Sequence, residues 1–273
     1  MGRLTDRRRV LAIAADGSAV RREDELIVEE PLELRIGGET FTVTMRTPGH
    51  DVELAHGLLL AEGMIGAADG VLAARFCSPD PENQYNTLDV TLRDGTAPIA
   101  LRRNLAATSS CGVCGKESAD AVRSTTRFPL SPDDGVQVSA ATVAELPDAL
   151  RKRQKLFDRT GGVHAAGLFR ADGTFLAARE DIGRHNAVDK LLGWALMAGH
   201  VPLRNTVLVL SGRVSFELAQ KAIMAGVPVV AAVSAPSSLA VSLAVEAGLT
   251  ITGFVRGGRM NVYTHPGRIV LPD

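Results

Sequence analysis

The sequence predicts an α/β fold, α+β overall, in which a mostly β N-terminal part precedes a C-terminal α/β unit. Two observations carry that expectation. In the last third, the continuous apolar run Val207–Leu210 and the further strand-like runs Val227–Val233 and Leu249–Val255 alternate with helical stretches, a β-α-β-α-β rhythm that suits buried parallel strands with crossover helices. Upstream, apolar residues alternate singly with polar ones, the period of half-buried strands.

Along the chain, residues 1–24 read as a tail. Leu32, Leu34 and Ile36 alternate with polar residues, Gly37-Gly38 supplies a tight turn, and Phe41, Val43 and Met45 alternate again, which predicts a β-hairpin over 25–45. After Thr47-Pro48-Gly49-His50, the helical spacing of Val52, Leu54, Ala55, Leu58 and Leu59 predicts a helix from Asp51 to about Gly63. Leu88, Val90 and Leu92 share one face of a strand over 86–92, and Lys116 to Arg123 suits a short helix. The stretch 129–137, with Pro129, Pro132, Asp133, Asp134 and Gly135, reads as a linker. Beyond it a basic amphipathic helix is expected from Pro147 to Phe157. A second hairpin (Val163–Phe169, Thr174–Ala178) and a helix from Ile182 to Met197 follow. The expected division is therefore a tail at 1–24, a β-rich domain at 25–130 and an α/β domain at 131–273.

Composition narrows the function classes. With 273 residues, 45% hydrophobic and 22% charged, the chain has the make-up of an ordinary globular protein. A formal net charge of −1 argues against a nucleic-acid or anionic-membrane binder. The arginines Arg3, Arg7, Arg8 and Arg9 precede an apolar stretch, Val10–Ala15, too short for a signal sequence, and no run approaches a membrane span. Three cysteines are too few for a secreted disulfide scaffold, so a reducing cytoplasm is the expected compartment.

The chemistry concentrates at Cys111-Gly112-Val113-Cys114-Gly115, which follows the small polar residues Thr108, Ser109 and Ser110. This C-x-x-C motif admits three readings. A zinc site normally takes four protein ligands, and no second cysteine pair exists, although the isolated Cys77 and a histidine could complete a set. A redox dithiol expects a thioredoxin-like setting, which the preceding sequence lacks. A nucleophilic or sulfur-carrying thiolate needs an exposed loop of low pKa, which the flanking glycines suit and which Arg102, Arg103 and Lys116 would favour.

Three further segments hold polar groups in unusual places. His164 lies in the apolar stretch Thr160-Gly161-Gly162-Val163-His164-Ala165-Ala166. A zinc deaminase would need a glutamate two residues after that histidine and a C-x-x-C further on. Here Ala166 occupies the glutamate's place and the cysteines come earlier, so that reaction is not expected. In Glu180-Asp181-Ile182-Gly183-Arg184-His185-Asn186, Asp181 suits helix capping, whereas Arg184, His185 and Asn186 exceed what a cap requires. Ser211-Gly212-Arg213 follows one apolar strand, and Phe254-Val255-Arg256-Gly257-Gly258-Arg259 lies at the end of another. Strand ends of this kind, with glycine backbone and paired arginines, suit a phosphate-bearing ligand.

Taken together, CGVCG, TGGVHAA, EDIGRHNAVDKLLG, SGRVSFELAQKA, AVSAPSSLAV and GFVRGGRMNVYTHPGRI resemble the FdhD family from about residue 25 to the C-terminus. The resemblance implies an accessory sulfurtransferase of formate dehydrogenase maturation. Such a carrier accepts persulfide sulfur from a cysteine desulfurase. It passes that sulfur to the molybdenum cofactor, bis(molybdopterin guanine dinucleotide), before the cofactor enters formate dehydrogenase. It further implies a cytidine-deaminase-like C-terminal domain, a homodimer, Cys111 as the persulfide-bearing residue, Cys114 as its partner, and Phe254 to Arg259 as the cofactor-binding segment. No resident metal is expected, and a thiol–disulfide oxidoreductase or a non-catalytic cofactor chaperone are the competing classes.

Overall fold

The computed structural model describes residues 4–77, 85–93, 122 and 125–272. Residues 5–27, placed in and just beyond the tail by the sequence, form a two-stranded antiparallel hairpin of β1 (Thr5–Ile13) and β2 (Ala19–Ile27). Its register sets Arg7 against Glu25, Arg8 against Asp24 and Arg9 against Glu23. Opposite charges facing one another across a ladder stabilise it without an apolar pattern.

The expected hairpin is present as β3 (Glu30–Ile36) and β4 (Glu39–Arg46), joined at Gly37-Gly38. With β5 (Val71–Phe76) and β6 (Thr87–Leu92) it makes a four-stranded sheet in the order β4-β3-β6-β5. Leu32, Leu34, Leu88 and Val90 point from this sheet into the core, beneath α1 (Asp51–Ala61).

The basic helix begins earlier than the sequence suggested. Ser139, at the end of the short strand β7 (Val138–Ser139), accepts a hydrogen bond from the Thr142 amide (2.9 Å) and starts α2 (Ala140–Arg151), so Pro147 lies inside the helix. The buried positions Val143, Leu146 and Leu150 show why the turn before Pro147 belongs to it: they form one stripe at helical spacing. The chain then breaks and restarts as α3 (Lys155–Thr160), whose first amides are capped by Glu180 Oε2 and Oε1 at Leu156 and Phe157 (both 2.9 Å). The 129–137 stretch is tied down by Arg268, 1% exposed, which donates to both Asp134 carboxylate oxygens and to the carbonyls of Ser131, Gly248 and Pro228.

The remaining elements are β8 (His164–Arg170), β9 (Phe175–Asp181), α4 (Arg184–Met197), β10 (Thr206–Leu210), α5 (Phe216–Met224), β11 (Val229–Ala232), α6 (Ser238–Ala247), β12 (Thr250–Arg256), β13 (Arg259–Val262) and β14 (Ile269–Val270). The six-stranded sheet runs β13-β12-β11-β10-β8-β9, so the β8–β9 hairpin extends the same sheet as the parallel trio β10, β11 and β12.

A continuous apolar core draws Leu32 and Leu88 together with Leu191, Leu208 and Ile251. Its centre is the crossing of α1 and α4. A side chain at Gly57 would collide with the Asp189 carbonyl, and one at Gly193 with the Glu53 carbonyl, so the two backbones touch there. Arg179 closes the same junction, donating from Nε and Nη2 to both oxygens of Glu53 (2.6 and 2.8 Å).

Candidate functional site

Cys111 and Cys114, with Arg102, Arg103 and Lys116, lie outside the described residues. Cys77 is exposed at the end of β5, its amide donating to the Thr87 carbonyl (3.0 Å). Among the described residues, no cluster of histidine, cysteine and carboxylate side chains could hold a metal.

The parallel strands β10, β11 and β12 end on the same edge of the sheet, as open α/β sheets require for ligand binding. Because β8 runs antiparallel to β10, its first residue is delivered to that edge. His164 therefore packs against Gly212, with Nδ1 3.5 Å from Ser211 Oγ, and Ser211 Oγ accepts the Ala165 amide (2.8 Å). Burial, followed by the positive charges of Arg184 and His185, pushes the His164 pKa down, which favours the neutral ring. His164 and Ser211 line a cleft of about 580 Å³ whose other wall is α2 and α3.

The segment Phe254 to Arg259 turns out to be the β12–β13 hairpin. Gly257 and Gly258 occupy its two turn positions at φ 56° and 73°, a two-residue turn that L side chains resist at both places. The tight turn puts Arg256 directly opposite Arg259. Like charges facing across strands repel, and an anion between them relieves that repulsion. A bulge between Gly253 and Arg256 accompanies the left-handed backbone of Phe254 (φ 52°), whose ring stays partly exposed with the Arg256 guanidinium 6.0 Å from its centroid. Val255, by contrast, is fully buried in the core, so it anchors the hairpin rather than facing a ligand. Phe254, both arginines, Gly257, Met260 and Asn261 surround a depression of about 410 Å³, and Arg256 also lines the larger cleft.

The Glu180–Asn186 segment divides between support and site. Asp181 forms a buried ion pair with Lys190 (2.6 Å) and accepts the amides of Thr47 and Gly183 (3.1 and 2.8 Å). Asn186 donates to the Met45 carbonyl (2.7 Å), so it stitches α4 to β4 rather than facing a ligand. His185 contacts Ser215 Oγ (3.2 Å) and Glu217 (3.5 Å). Its hydrogen bond is the largest influence lowering the Glu217 pKa to about 2. Arg184 Nε is buried and has no hydrogen-bond partner among the described residues.

Gln154 and Asp148 line the larger cleft and were not singled out by sequence reasoning. The only signal in the chain is an amide set among cations, Arg151-Lys152-Arg153-Gln154-Lys155.

Residues 27–270 match the model of the FdhD/NarQ family. The sulfur carrier protein FdhD of Nocardia farcinica is 58% identical, the match covering 98% of this chain and 96% of that protein. The sulfur carrier protein FdhD of Mycolicibacterium paratuberculosis is also 58% identical, over 97% of this chain and 99% of its own length. In fold, the chain is similar to a crystal structure described as a formate dehydrogenase accessory protein of Desulfotalea psychrophila. That likeness has a TM-score of 0.76 at 24% identity, covering 98% of this chain and 100% of that one. A family match spanning nearly every residue, with relatives above half identity along the whole length, places this chain in the FdhD/NarQ family.

Proposed function

We propose that the chain is a sulfur carrier and sulfurtransferase of formate dehydrogenase maturation, acting through Cys111 and Cys114. The observation that carries the reading is a C-x-x-C pair in a chain 58% identical to proteins named sulfur carriers. The Cys111 thiolate attacks the terminal sulfur of a desulfurase persulfide, forming Cys111–S–SH and releasing the desulfurase thiolate. Attack of the Cys114 thiolate on the inner sulfur then forms the Cys111–Cys114 disulfide and expels hydrosulfide for the molybdenum centre. The two electrons that reduce the sulfane sulfur come from the thiol pair, and a cellular thiol reductant restores it.

The substrate receiving that sulfur is bis(molybdopterin guanine dinucleotide), bound before it enters formate dehydrogenase. The hairpin supports this part: Arg256 and Arg259 face one another beside an exposed aromatic ring, an arrangement suited to phosphates flanked by a planar base. A homodimer presents two such hairpins to the two nucleotide ends of the substrate, in a reducing cytoplasm. Among the described residues, no helix is long and apolar enough to cross a membrane.

The test is mass spectrometry of the protein after incubation with a cysteine desulfurase and cysteine. Gain of about one sulfur atom, absent in Cys111→Ser, supports carriage; loss of two hydrogens alone indicates a thiol–disulfide oxidoreductase. Formate dehydrogenase activation by Cys111→Ser cells at the wild-type level sinks the carrier mechanism.

A further inference from the structure

The β1–β2 hairpin is held at its base. Arg159 of α3 donates to Glu25 and Thr5 there, and Ile27 lies so close to Gly162 that a side chain on that glycine would touch it. Beyond the base the ribbon is open: Val20 is 61% exposed, and among the described residues no strand pairs with the outer edge of β2. A two-stranded ribbon alone is marginally stable in water, whereas a sheet of more strands holds together.

The sequence of β2 carries the pattern of a strand that would complete it. β2 reads Ala19-Val20-Arg21-Arg22-Glu23-Asp24-Glu25-Leu26-Ile27, with two cations before Glu23, two carboxylates after it and an apolar pair at each end. Laid antiparallel against itself about Glu23, the strand sets Arg22 opposite Asp24 and Arg21 opposite Glu25. It also sets Val20 opposite Leu26 and Ala19 opposite Ile27, and each of these pairs occurs twice. Facing opposite charges and facing apolar residues are the pairs that stabilise an antiparallel ladder. Sliding the register by one residue sets Val20 against Glu25, or Glu23 against Asp24, so the pattern specifies one alignment. Arg21, Arg22, Glu23 and Asp24 make no ion pair among the described residues, which leaves them available. At the centre Glu23 would face its own copy, and Arg9, its partner across the hairpin, offsets that repulsion. β1 has no such symmetry: about Arg9 it would set Arg8 against Val10 and Arg7 against Leu11. Its edge is therefore guarded rather than complementary.

We propose that β2 pairs antiparallel with β2 of a second copy of this chain, about a twofold axis at Glu23, joining two hairpins into one four-stranded sheet. A twofold contact requires a surface that complements itself, and the charge order of β2 does so. The contact rests on the proposed homodimer, to which it assigns a surface, and is independent of the sulfur chemistry.

Mild oxidation of the intact Glu23→Cys protein, read by non-reducing electrophoresis and peptide mass, tests the contact, with wild type giving the background from native thiols. Directly opposite residues have Cα atoms about 4.5–5.5 Å apart, within disulfide reach, so the two copies should link through this position. Arg21→Cys would hold its two thiols about 13 Å apart along the strands, and Arg8→Cys lies on the far strand, so each should link about fivefold less or not at all. Added to Glu23→Cys, Arg22→Asp faces Asp24 with a like charge and should cut the yield about fivefold; Asp24→Arg on top of it should restore the link. That recovery separates lost pairing from a misfolded arm. No link through Glu23→Cys, equal linking at all three positions, or a yield that ignores the charge swap overturns the proposal. Light scattering of wild type reads the homodimer itself: a dimer without the Glu23→Cys link overturns this contact alone, and a monomer overturns both readings.

Discussion

Gly57 and Gly193 bring two helices into backbone contact, each taking up space that a side chain on the other would need. Through that contact α1, which follows the four-stranded sheet's first hairpin, packs on α4, which lies against the six-stranded sheet. Alanine at either position must push a carbonyl-bearing turn aside. Overpacking of this kind typically costs about 1–3 kcal/mol and more where backbone opposes it. Gly57→Ala and Gly193→Ala are each expected to lose about 3 kcal/mol or more in urea unfolding. A midpoint unchanged from wild type would show that the crossing is softer than its geometry indicates.

The Asp181–Lys190 pair, essentially without solvent exposure, sits beside that junction. Lys190 also donates to the Thr47 carbonyl (2.7 Å), and Asp181 accepts the Thr47 amide, so one pair holds both backbone groups of Thr47 in the loop before α1. Removing one partner strands the other charge. Asp181→Asn is expected to cost about 3–5 kcal/mol, whereas the double replacement Asp181→Leu with Lys190→Met should recover part of that loss. Chemical denaturation of the three variants measures the coupling.

Acid should weaken the fold in two stages. Burial pushes the His56 and His164 pKa values below 6.5, so their neutral forms contribute stability that is complete above pH 6.5 and declines as pH falls below it. Glu53 is held at about 2 by Arg179 and His50 against its own burial. Its contribution is complete above pH 4.5 and lost between 4.5 and 2. Glu53→Gln should flatten the lower stage of a stability–pH curve and leave the upper one in place.

At the β12–β13 hairpin, Arg259→Ala should lower affinity for guanosine diphosphate about tenfold and reduce the steepness of its salt dependence. Phe254→Gly should relieve the left-handed strain, raising the melting temperature while weakening the nucleotide. Titration at two ionic strengths, together with a thermal melt, checks both. A Phe254→Gly protein that melts lower than wild type would mean the ring's packing outweighs its backbone strain.

The parallel strands were readable because a strand buried on both faces is largely apolar, as Val207–Leu210 and Val227–Val233 are. The Gly37-Gly38 turn was readable because few other residues fill both positions. The position of His164 beside Gly212 was not, since it depends on β8 entering the sheet antiparallel to β10 across more than forty residues. Nor was Gln154: an amide among five consecutive polar residues looks solvated until the fold buries it. The start of α2 escaped notice because Pro147 reads as a helix opening, when Ser139 is the true cap. The thiols stood out by spacing alone, and that spacing remains the ground for assigning them.

The β1–β2 hairpin has one further consequence. A ribbon of two strands leaves both of its outer edges open, and open edges invite other chains to add a strand and aggregate. Here the ladder near its base is built from facing arginines and carboxylates, so an incoming strand would have to strip water from Arg7, Arg8 and Arg9 before forming its first hydrogen bond. The same charges that hide this element from a hydrophobic pattern keep it from recruiting its neighbours, and a crowded cell can tolerate the exposed ribbon for that reason.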